Sequence, residues 1–113
     1  MKVLVVESED TTLKLLGVML KQLGYKVELA VDCKQALIAY RESGPQDVVL
    51  IAMKFFRGSA AGGAALIDAM LQKNPQQQYA FMTSTPVLRK PFTLQELDDF
   101  MGAFRRPASS RFG

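Results

Sequence analysis

The sequence predicts an α/β domain, a three-layer sandwich in which helices cover both faces of a central parallel sheet. Two nearly continuous apolar runs, residues 2–6 and 47–52, are typical of strands buried on both faces. Segments with a helical spacing of apolar residues separate these runs from two further strand-like runs. Strands that alternate with helices form right-handed βαβ units, so we expect the strands to lie parallel.

The length and charge of the chain limit its organisation. The chain has 113 residues, which suits one domain, residues 1–104, followed by a disordered basic tail, residues 105–113. Residues 1–104 carry equal numbers of basic and acidic side chains, so nothing predicts a domain-wide basic face for nucleic acids. A weaker hypothesis is a nucleic-acid contact made by the arginines of the tail, Arg105, Arg106 and Arg111.

The composition also bears on compartment and chemistry. Cys33 is the only cysteine, which excludes an internal disulfide and a zinc cluster. No apolar run approaches the roughly 20 residues of a membrane span, and the chain begins directly with a strand, so we expect a cytoplasmic protein without a signal peptide. The chain contains no histidine, the commonest general base, and we expect neither enzymatic activity nor a cofactor.

The first βαβ unit is predicted between residues 2 and 30. Its first strand occupies residues 2–6. Gly24 suits the left-handed conformation that ends a helix, and the second strand follows at residues 26–30. The helix between them runs from about residue 10 to residue 23, and its apolar stripe consists of Leu13, Leu16, Leu20 and Leu23.

The second helix and the third strand follow. Asp32 is a good N-cap for the helix, which ends at the Ser-Gly-Pro sequence of residues 43–45. The third strand spans residues 47–52 and ends in an alanine. One face of the helix carries the side chains of Ala36, Leu37 and Tyr40.

The remaining elements are less regular. Residues 57–63 are small and glycine-rich and predict a loop, but they lack the Gly-Lys-Ser/Thr ending of a phosphate-binding loop. A helix is predicted at about residues 64–73 and a strand at about residues 78–83. A last helix fits residues 93–104, with Thr93 as its N-cap.

The alternating pattern breaks after the fourth strand. Only residues 84–86 separate that strand from the apolar pair Val87-Leu88, whereas a parallel crossover needs about 10–12 residues or more. An ordinary crossover helix therefore does not fit. Three arrangements stay open: residues 84–90 form an irregular strap, Val87–Arg89 form a very short strand, or the segment pairs with another chain.

Four short motifs stand at defined places in this pattern. They are Val5-Val6-Glu7 at the end of the first strand, Leu23-Gly24-Tyr25-Lys26-Val27 at the link into the second strand, Phe81-Met82-Thr83 at the end of the fourth strand and Lys90-Pro91-Phe92-Thr93 leading into the last helix. Over residues 2–104 the pattern resembles the receiver domain of bacterial two-component response regulators. The resemblance implies a flavodoxin-like fold with five parallel strands. It also implies an aspartate after the third strand that accepts a phosphoryl group from a histidine kinase, beside two acids that hold magnesium.

The residues that correspond to this site are Glu7, Ser8, Ala52, Thr83 and Lys90, and we call the edge of the sheet that they follow the rim. Glu7 matches the first acid, Thr83 the hydroxyl and Lys90 the lysine of the family pattern. Ala52 stands in place of the acceptor aspartate, and Ser8 in place of the second acid. The resemblance therefore implies a vestigial phosphorylation site with weak or no magnesium binding. Lys90 is expected to pair with Glu7, and Thr83 to have a static role.

Two features next to the third strand leave alternatives open. If the strand is misaligned, Asp47 would be the acceptor. Phe55 and Phe56, beside Lys54 and Arg57, form a tentative partner-binding spot, because aromatic residues and arginine are enriched in interface hot spots. The alternative is that the two rings fill the space left by a missing helix.

These observations favour a stand-alone, non-phosphorylatable receiver-like module, a pseudo-receiver, that acts through protein–protein interaction. The family's fourth helix and most of its fifth strand are missing or truncated, and this loss exposes sheet edge and apolar surface that mark an interaction site. A histidine kinase, a phosphotransfer protein or a scaffold is the expected partner, with a homodimer as a further option. The alternative function is an unorthodox phosphorylation- or ligand-gated switch that uses Glu7 or a rim hydroxyl such as Ser8, Ser84 or Thr85.

Overall fold

The computed structural model of the chain describes residues 2–57 and 62–82, together with Gln95, Asp98, Asp99 and Met101. Four strands form one parallel sheet in the order β2-β1-β3-β4. The predicted α/β fold with a central parallel sheet is therefore confirmed. In chain order the elements are β1 (Lys2–Val6), α1 (Asp10–Gln22), β2 (Lys26–Ala30), α2 (Cys33–Ser43), β3 (Val48–Ala52), a 3-10 turn (Met53–Phe56), α3 (Gly63–Lys73) and β4 (Tyr79–Met82).

The centre of the sheet is formed by β1 and β3. Four residues of β1 and all five residues of β3 are buried, as expected for strands that are covered on both faces. The register pairs Val6 with Ile51 near the rim. Asp47 lies at the opposite end of the sheet, where its carboxylate accepts a hydrogen bond of 2.6 Å from the backbone N–H of Lys2. The alternative alignment, with Asp47 as the acceptor, is therefore wrong.

The predicted ends of α1 and α2 are also confirmed. Gly24 follows α1 with a φ of +95°, and Gly44 follows α2 with a φ of +79°, a conformation that other residues rarely adopt. Asp32 caps α2, because its carboxylate accepts a hydrogen bond of 2.8 Å from the backbone N–H of Gln35. Local sequence signals thus determine where these two helices begin or end.

The 3-10 turn Met53–Phe56 has no counterpart among the predicted elements. It follows β3 directly, and the side chain of Phe55 is only 9% exposed, which anchors the turn on the core. Gly63, the first residue of α3, lies against the turn. A Cβ atom at Gly63 would come within 2.7 Å of the carbonyl oxygen of Phe55 and 2.8 Å of Cε1 of Phe56. Glycine at this position therefore allows α3 to begin directly against the turn.

A buried glutamine connects the elements at the end of the sheet away from the rim. Oε1 of Gln77 accepts hydrogen bonds from the Tyr40 hydroxyl at 2.7 Å and from the backbone N–H of Gln46 at 2.9 Å. Its Nε2 donates to the backbone carbonyls of Gln46 and Gln78, both at 2.8 Å. These four bonds join α2 to the segments that lead into β3 and β4, and they satisfy an amide that would be costly to bury alone.

The last predicted helix, residues 93–104, is described at four positions only. Gln95, Asp98, Asp99 and Met101 are helical, and Met101 is fully buried in the core. The predicted cap of this helix at Thr93, the open arrangements of residues 84–90 and the tail at residues 105–113 lie outside the described residues. Within the described part of the chain, no helix has the length and apolar character needed to cross a membrane.

Candidate functional site

The rim lies where β1 and β3 end side by side. Because Val6 pairs with Ile51, Glu7 and Ala52 are the next residues on the two neighbouring strands. Glu7 continues the sheet by one step, since its backbone N–H donates to the carbonyl of Ala30 at 3.0 Å. In open α/β sheets this edge is where ligands bind, so the residues gathered here form the candidate site.

Glu7 is a fully buried acid that has a charged partner. None of its surface is exposed. Its Oε2 accepts a hydrogen bond of 2.9 Å from the backbone N–H of Glu9 and lies 3.0 Å from Nζ of Lys54. An unpaired buried charge is strongly unfavourable, so these contacts explain how the protein tolerates a carboxylate at this depth.

Lys54 extends from the 3-10 turn back across the rim. Its Nζ also lies 3.0 Å from the hydroxyl oxygen of Ser8, to which it donates a hydrogen bond. The side chain is 46% exposed, so the ammonium contacts the buried acid on one side and solvent on the other. Lys54 therefore connects Glu7 and Ser8, the two positions that the receiver resemblance assigns to the magnesium-binding acids.

The sequence alone did not identify Lys54 as a site residue. The resemblance assigns the positive charge beside Glu7 to Lys90, which lies outside the described residues, as does Thr83, so their roles stay predictions. The sequence position of Lys54 was the signal that could have identified it. Lys54 stands two residues after Ala52, and one tight turn there brings its side chain back to the end of the strand. Only the tertiary structure reveals that such a turn forms.

Ala52 places a buried methyl group at the carboxyl end of β3. It is 2% exposed and stands opposite Met82 of β4 in the register. Ser8, by contrast, follows Glu7 in the chain and is exposed. Of the five predicted site residues, the structure thus brings Glu7 and Ser8 together through Lys54 and places Ala52 on the adjacent strand end.

The described rim residues do not fit the magnesium ion that the receiver resemblance implies. Mg²⁺ takes oxygen ligands in a near-ideal octahedron and favours carboxylates. The Glu7 carboxylate and the Ser8 hydroxyl both already accept a hydrogen bond from Lys54, and Ala52 has no ligand atom. The nearby Glu9 carboxylate accepts a hydrogen bond from the hydroxyl of Thr12 at the start of α1. Among the residues that the structure describes, no three potential metal ligands of the types His, Cys, Asp or Glu form a group.

An aromatic strip begins beside the rim, and we define it as Phe56, Tyr79 and Phe81. The ring centroids of Phe56 and Phe81 are 4.6 Å apart, and those of Tyr79 and Phe81 are 5.9 Å apart. Tyr79 and Phe81 alternate along β4 and therefore point to the same face of the sheet, where Phe81 is 42% exposed. Phe55 lies in the core instead, so only Phe56 of the tentative binding pair belongs to this surface.

A shallow cavity of about 290 Å³ lies where α2 and α3 begin. It is lined by Cys33, Lys34, Leu37, Gly62, Ala65 and Leu66. Partial burial, and to a lesser degree the Asp32 carboxylate, raises the pKa of the Cys33 thiol above its ordinary value. Because the thiolate is the nucleophilic form, a raised pKa makes this cysteine a poor nucleophile at neutral pH.

Comparisons with known proteins now give the class of fold. No family model and no curated protein matches the sequence. Among solved structures, a response regulator receiver domain from Clostridium thermocellum has a TM-score of 0.72 and 24% identity, over 91% of this chain and 92% of that chain. A chemotaxis protein from Vibrio cholerae has a TM-score of 0.76 and 19% identity, over 91% of this chain and 97% of that one.

A third similar structure is a response regulator from Thermotoga maritima that was solved in complex with Mg²⁺ and beryllium fluoride. Its TM-score is 0.71 at 20% identity, over 91% of this chain and 97% of that chain. The fold of this chain is therefore that of response-regulator receiver domains, and the predicted flavodoxin-like architecture is confirmed. At such identities the likeness shows the fold alone, so the function must be argued from the residues of the rim.

Proposed function

We propose that this chain is a receiver-like signalling module that is not phosphorylated and that acts in the cytoplasm by binding another signalling protein. Ala52 is the observation that carries the proposal, because a buried methyl group ends β3 where the receiver resemblance implies the acceptor aspartate. A methyl group has no lone pair with which to attack phosphorus. Phosphoryl transfer by the family's route therefore has no acceptor at this position.

The other rim residues support the same proposal. Glu7 is fully buried, and its carboxylate is engaged by Lys54 and by the backbone of Glu9, so it is poorly placed to attack a phosphodonor in solution. Ser8 is exposed, but its neighbour is the Lys54 ammonium, which supplies no base to remove the hydroxyl proton. Both contacts oppose the alternative function, a switch that uses Glu7 or Ser8.

Without phosphoryl chemistry, the module must act through contact, and the aromatic strip is the surface we assign to it. Its rings contact one another and continue from the 3-10 turn at the rim, so they form one contiguous patch. Aromatic side chains are enriched in interface hot spots. Leu15 and Val18 on α1 are also exposed, but they are aliphatic. The proposed partner is a histidine kinase, a phosphotransfer protein or a scaffold of a two-component system.

The lack of phosphorylation is tested with a small-molecule phosphodonor. The protein is incubated with acetyl phosphate and Mg²⁺, and its intact mass is measured, with a receiver domain that has its aspartate as the positive control. We expect the control to gain one phosphoryl group and this protein to keep its mass. Stoichiometric gain by this protein would overturn the proposal and support the alternative switch.

The contact surface is tested by affinity capture from native cell extract. Wild type is compared with Phe81→Ser in the aromatic strip and with Val18→Ser, an exposed apolar residue on α1 that serves as the matched control. We expect a two-component signalling protein to be captured by wild type and Val18→Ser and lost from Phe81→Ser. Loss from Val18→Ser alone would move the contact to α1. Light scattering on the purified protein measures its oligomeric state. A dimer in that measurement would identify a second copy of the chain as the partner in place of a signalling protein.

A further inference from the structure

We propose that the Lys54 ammonium is the resident cation of the rim and excludes a divalent metal ion from it. The inference deepens the proposed function and rests on it in one respect, namely that position 52 lacks a ligand in the natural chain. It concerns a different property, because a protein that is not phosphorylated could still bind a metal at Glu7. The contacts of Lys54 with Glu7 and Ser8 carry the inference.

The position of the Lys54 ammonium leaves no room for a divalent ion at the same two oxygen atoms. Nζ of Lys54 lies 3.0 Å from Oε2 of Glu7 and 3.0 Å from Oγ of Ser8, so it stands between the two side chains that follow β1 at the rim. A divalent ion that used the same two oxygen atoms would have to occupy nearly the same volume. Magnesium binds its ligands at about 2.0–2.1 Å, which is too close for an ammonium to remain beside them.

The balance of charge between Glu7 and Lys54 also disfavours a divalent ion. Glu7 is a fully buried carboxylate that pairs with the Lys54 ammonium, and these two charges cancel. A divalent ion would replace one positive charge by two without any new anionic ligand from Ala52 or Ser8. Ions with carboxylate-poor sites keep most of their water and bind weakly. If Lys54 stayed nearby, like-charge repulsion would weaken binding further.

The 3-10 turn positions Lys54 at the rim. The 3-10 turn follows β3 without an intervening residue, and the burial of Phe55 fixes its orientation. α3 begins beside the turn, where a Cβ atom at Gly63 would come within 2.7 Å of the carbonyl oxygen of Phe55. The side chain of Lys54 is 46% exposed, so its ammonium can still be removed by substitution without opening the core.

Adding an acid at position 52 would leave the Lys54 ammonium at the rim. Position 52 neighbours Glu7 across the ends of β3 and β1, so in an Ala52→Asp variant we expect the new carboxylate to form an ion pair with the Lys54 ammonium. Restoring the acid alone should therefore not create a metal site. Removal of the Lys54 ammonium together with addition of the acid should leave two carboxylates, at positions 7 and 52, without Lys54 between them.

The test uses Mn²⁺ as a paramagnetic probe and the full chain labelled with ¹⁵N. Broadening of the Glu7 and Ser8 amide signals is titrated in wild type, in Ala52→Asp, in Lys54→Met and in the double variant Ala52→Asp, Lys54→Met. Lys14→Met is the charge control, because Lys14 is an exposed lysine on α1 that pairs with Asp10. Circular dichroism establishes that each variant is folded, and Lys54→Gln replaces Lys54→Met if the double variant is not.

We expect the double variant to bind Mn²⁺ at least about tenfold more tightly than Ala52→Asp alone, as removal of one adjacent like charge predicts. Wild type and Lys14→Met should bind Mn²⁺ no more tightly than Ala52→Asp does. Equal affinity of Ala52→Asp and the double variant, whether tight or absent, would overturn the inference, because Lys54 would then not be the excluding group. Phosphoryl gain by wild type would instead overturn the proposed function, so the two failures are distinguishable.

Discussion

The ammonium of Lys54 and the carboxylate of Glu7, 3.0 Å apart, join the turn after β3 to the end of β1. The two partners differ in environment, because Glu7 has no exposed surface whereas the Lys54 side chain is 46% exposed. The burial of the Glu7 charge therefore depends on Lys54, whereas the Lys54 charge depends less on Glu7. Removal of the lysine leaves a buried charge with less compensation, whereas removal of the acid leaves a lysine that solvent can accommodate.

Lys54→Met should lower the free energy of unfolding by about 1–3 kcal/mol, the range for losing a hydrogen bond to a charged group. Glu7→Gln in the Lys54→Met background should recover part of this loss, since a neutral amide is less unfavourable to bury than a carboxylate. Urea denaturation of wild type, both single variants and the double variant, followed by circular dichroism at pH 7, measures the four free energies. Additive losses for the two substitutions would show that Lys54 and Glu7 do not interact energetically.

Gln77→Ala should be among the most destabilising single substitutions outside the apolar core. It removes four hydrogen bonds and leaves the backbone N–H and carbonyl of Gln46 without their partner, which we expect to cost about 2–4 kcal/mol. Gln76→Ala is the matched control, because Gln76 is the exposed neighbour of the same type and should change stability by no more than about 0.5 kcal/mol. Equal urea midpoints for the two variants would contradict a structural role of Gln77.

Two glycine-to-alanine substitutions in helices should have different effects. Gly63→Ala forces a Cβ to 2.7 Å from the backbone oxygen of Phe55 and should destabilise by about 1–3 kcal/mol, as overpacking does. Gly17→Ala meets only the tip of Leu29 at 3.1 Å, and Leu29 is partly exposed and able to move. Alanine in the interior of α1 is favoured over glycine by about 1 kcal/mol, so Gly17→Ala should be neutral or stabilising. Thermal unfolding of both variants measures their stabilities relative to wild type. A Gly17→Ala variant less stable than Gly63→Ala would refute the prediction.

Most of the fold was predictable because its signals are local. The apolar runs of β1 and β3 favour strands covered on both faces. Gly24 and Asp32 mark helix ends through backbone conformation and capping that act within a few residues. Parallel order follows from the alternation of strands and helices. None of these inferences requires knowledge of a distant contact.

The 3-10 turn and the role of Lys54 could not be predicted for the opposite reason. Four residues after β3 carry no capping signal and no periodicity, so their conformation is decided by the burial of Phe55 and by the close approach of Gly63. The pairing of Lys54 with Glu7 depends on that turn. The family position of Lys90 also predicts a positive charge beside Glu7, and that pairing lies outside the described residues.

The Cys33 thiol should react slowly with alkylating reagents at neutral pH. Its pKa is raised by partial burial and, secondarily, by the adjacent Asp32 carboxylate, so the rate of reaction with iodoacetamide should reach half its maximum above the ordinary pKa of a cysteine. Asp32→Asn keeps the N-cap of α2 but removes the charge, so it should shift the midpoint to lower pH without loss of stability. A wild-type midpoint at or below the ordinary value would contradict the prediction.

Tyr40 should make the protein less stable at alkaline pH. Burial raises the pKa of its phenol, although a side-chain hydrogen bond with Asn74 opposes the shift. The folded state therefore holds the phenolic proton at a pH where the unfolded chain, with a tyrosine pKa of about 10, has released it. Because the unfolded state then binds fewer protons, the free energy of unfolding should fall as pH rises above about 10, and the contribution should be constant below that value.

Tyr40→Phe separates this contribution from that of other groups that titrate in the same range, such as the lysines. The variant loses the hydrogen bond to Gln77, so it should be less stable than wild type at pH 7 by about 1 kcal/mol. It cannot ionise at position 40, so its stability should fall less steeply between about pH 10 and pH 11.5, the range just above the tyrosine pKa. The difference between the two proteins should therefore shrink as pH rises. Urea denaturation at a series of pH values measures that difference, and a constant gap would mean that the Tyr40 phenol ionises equally in both states.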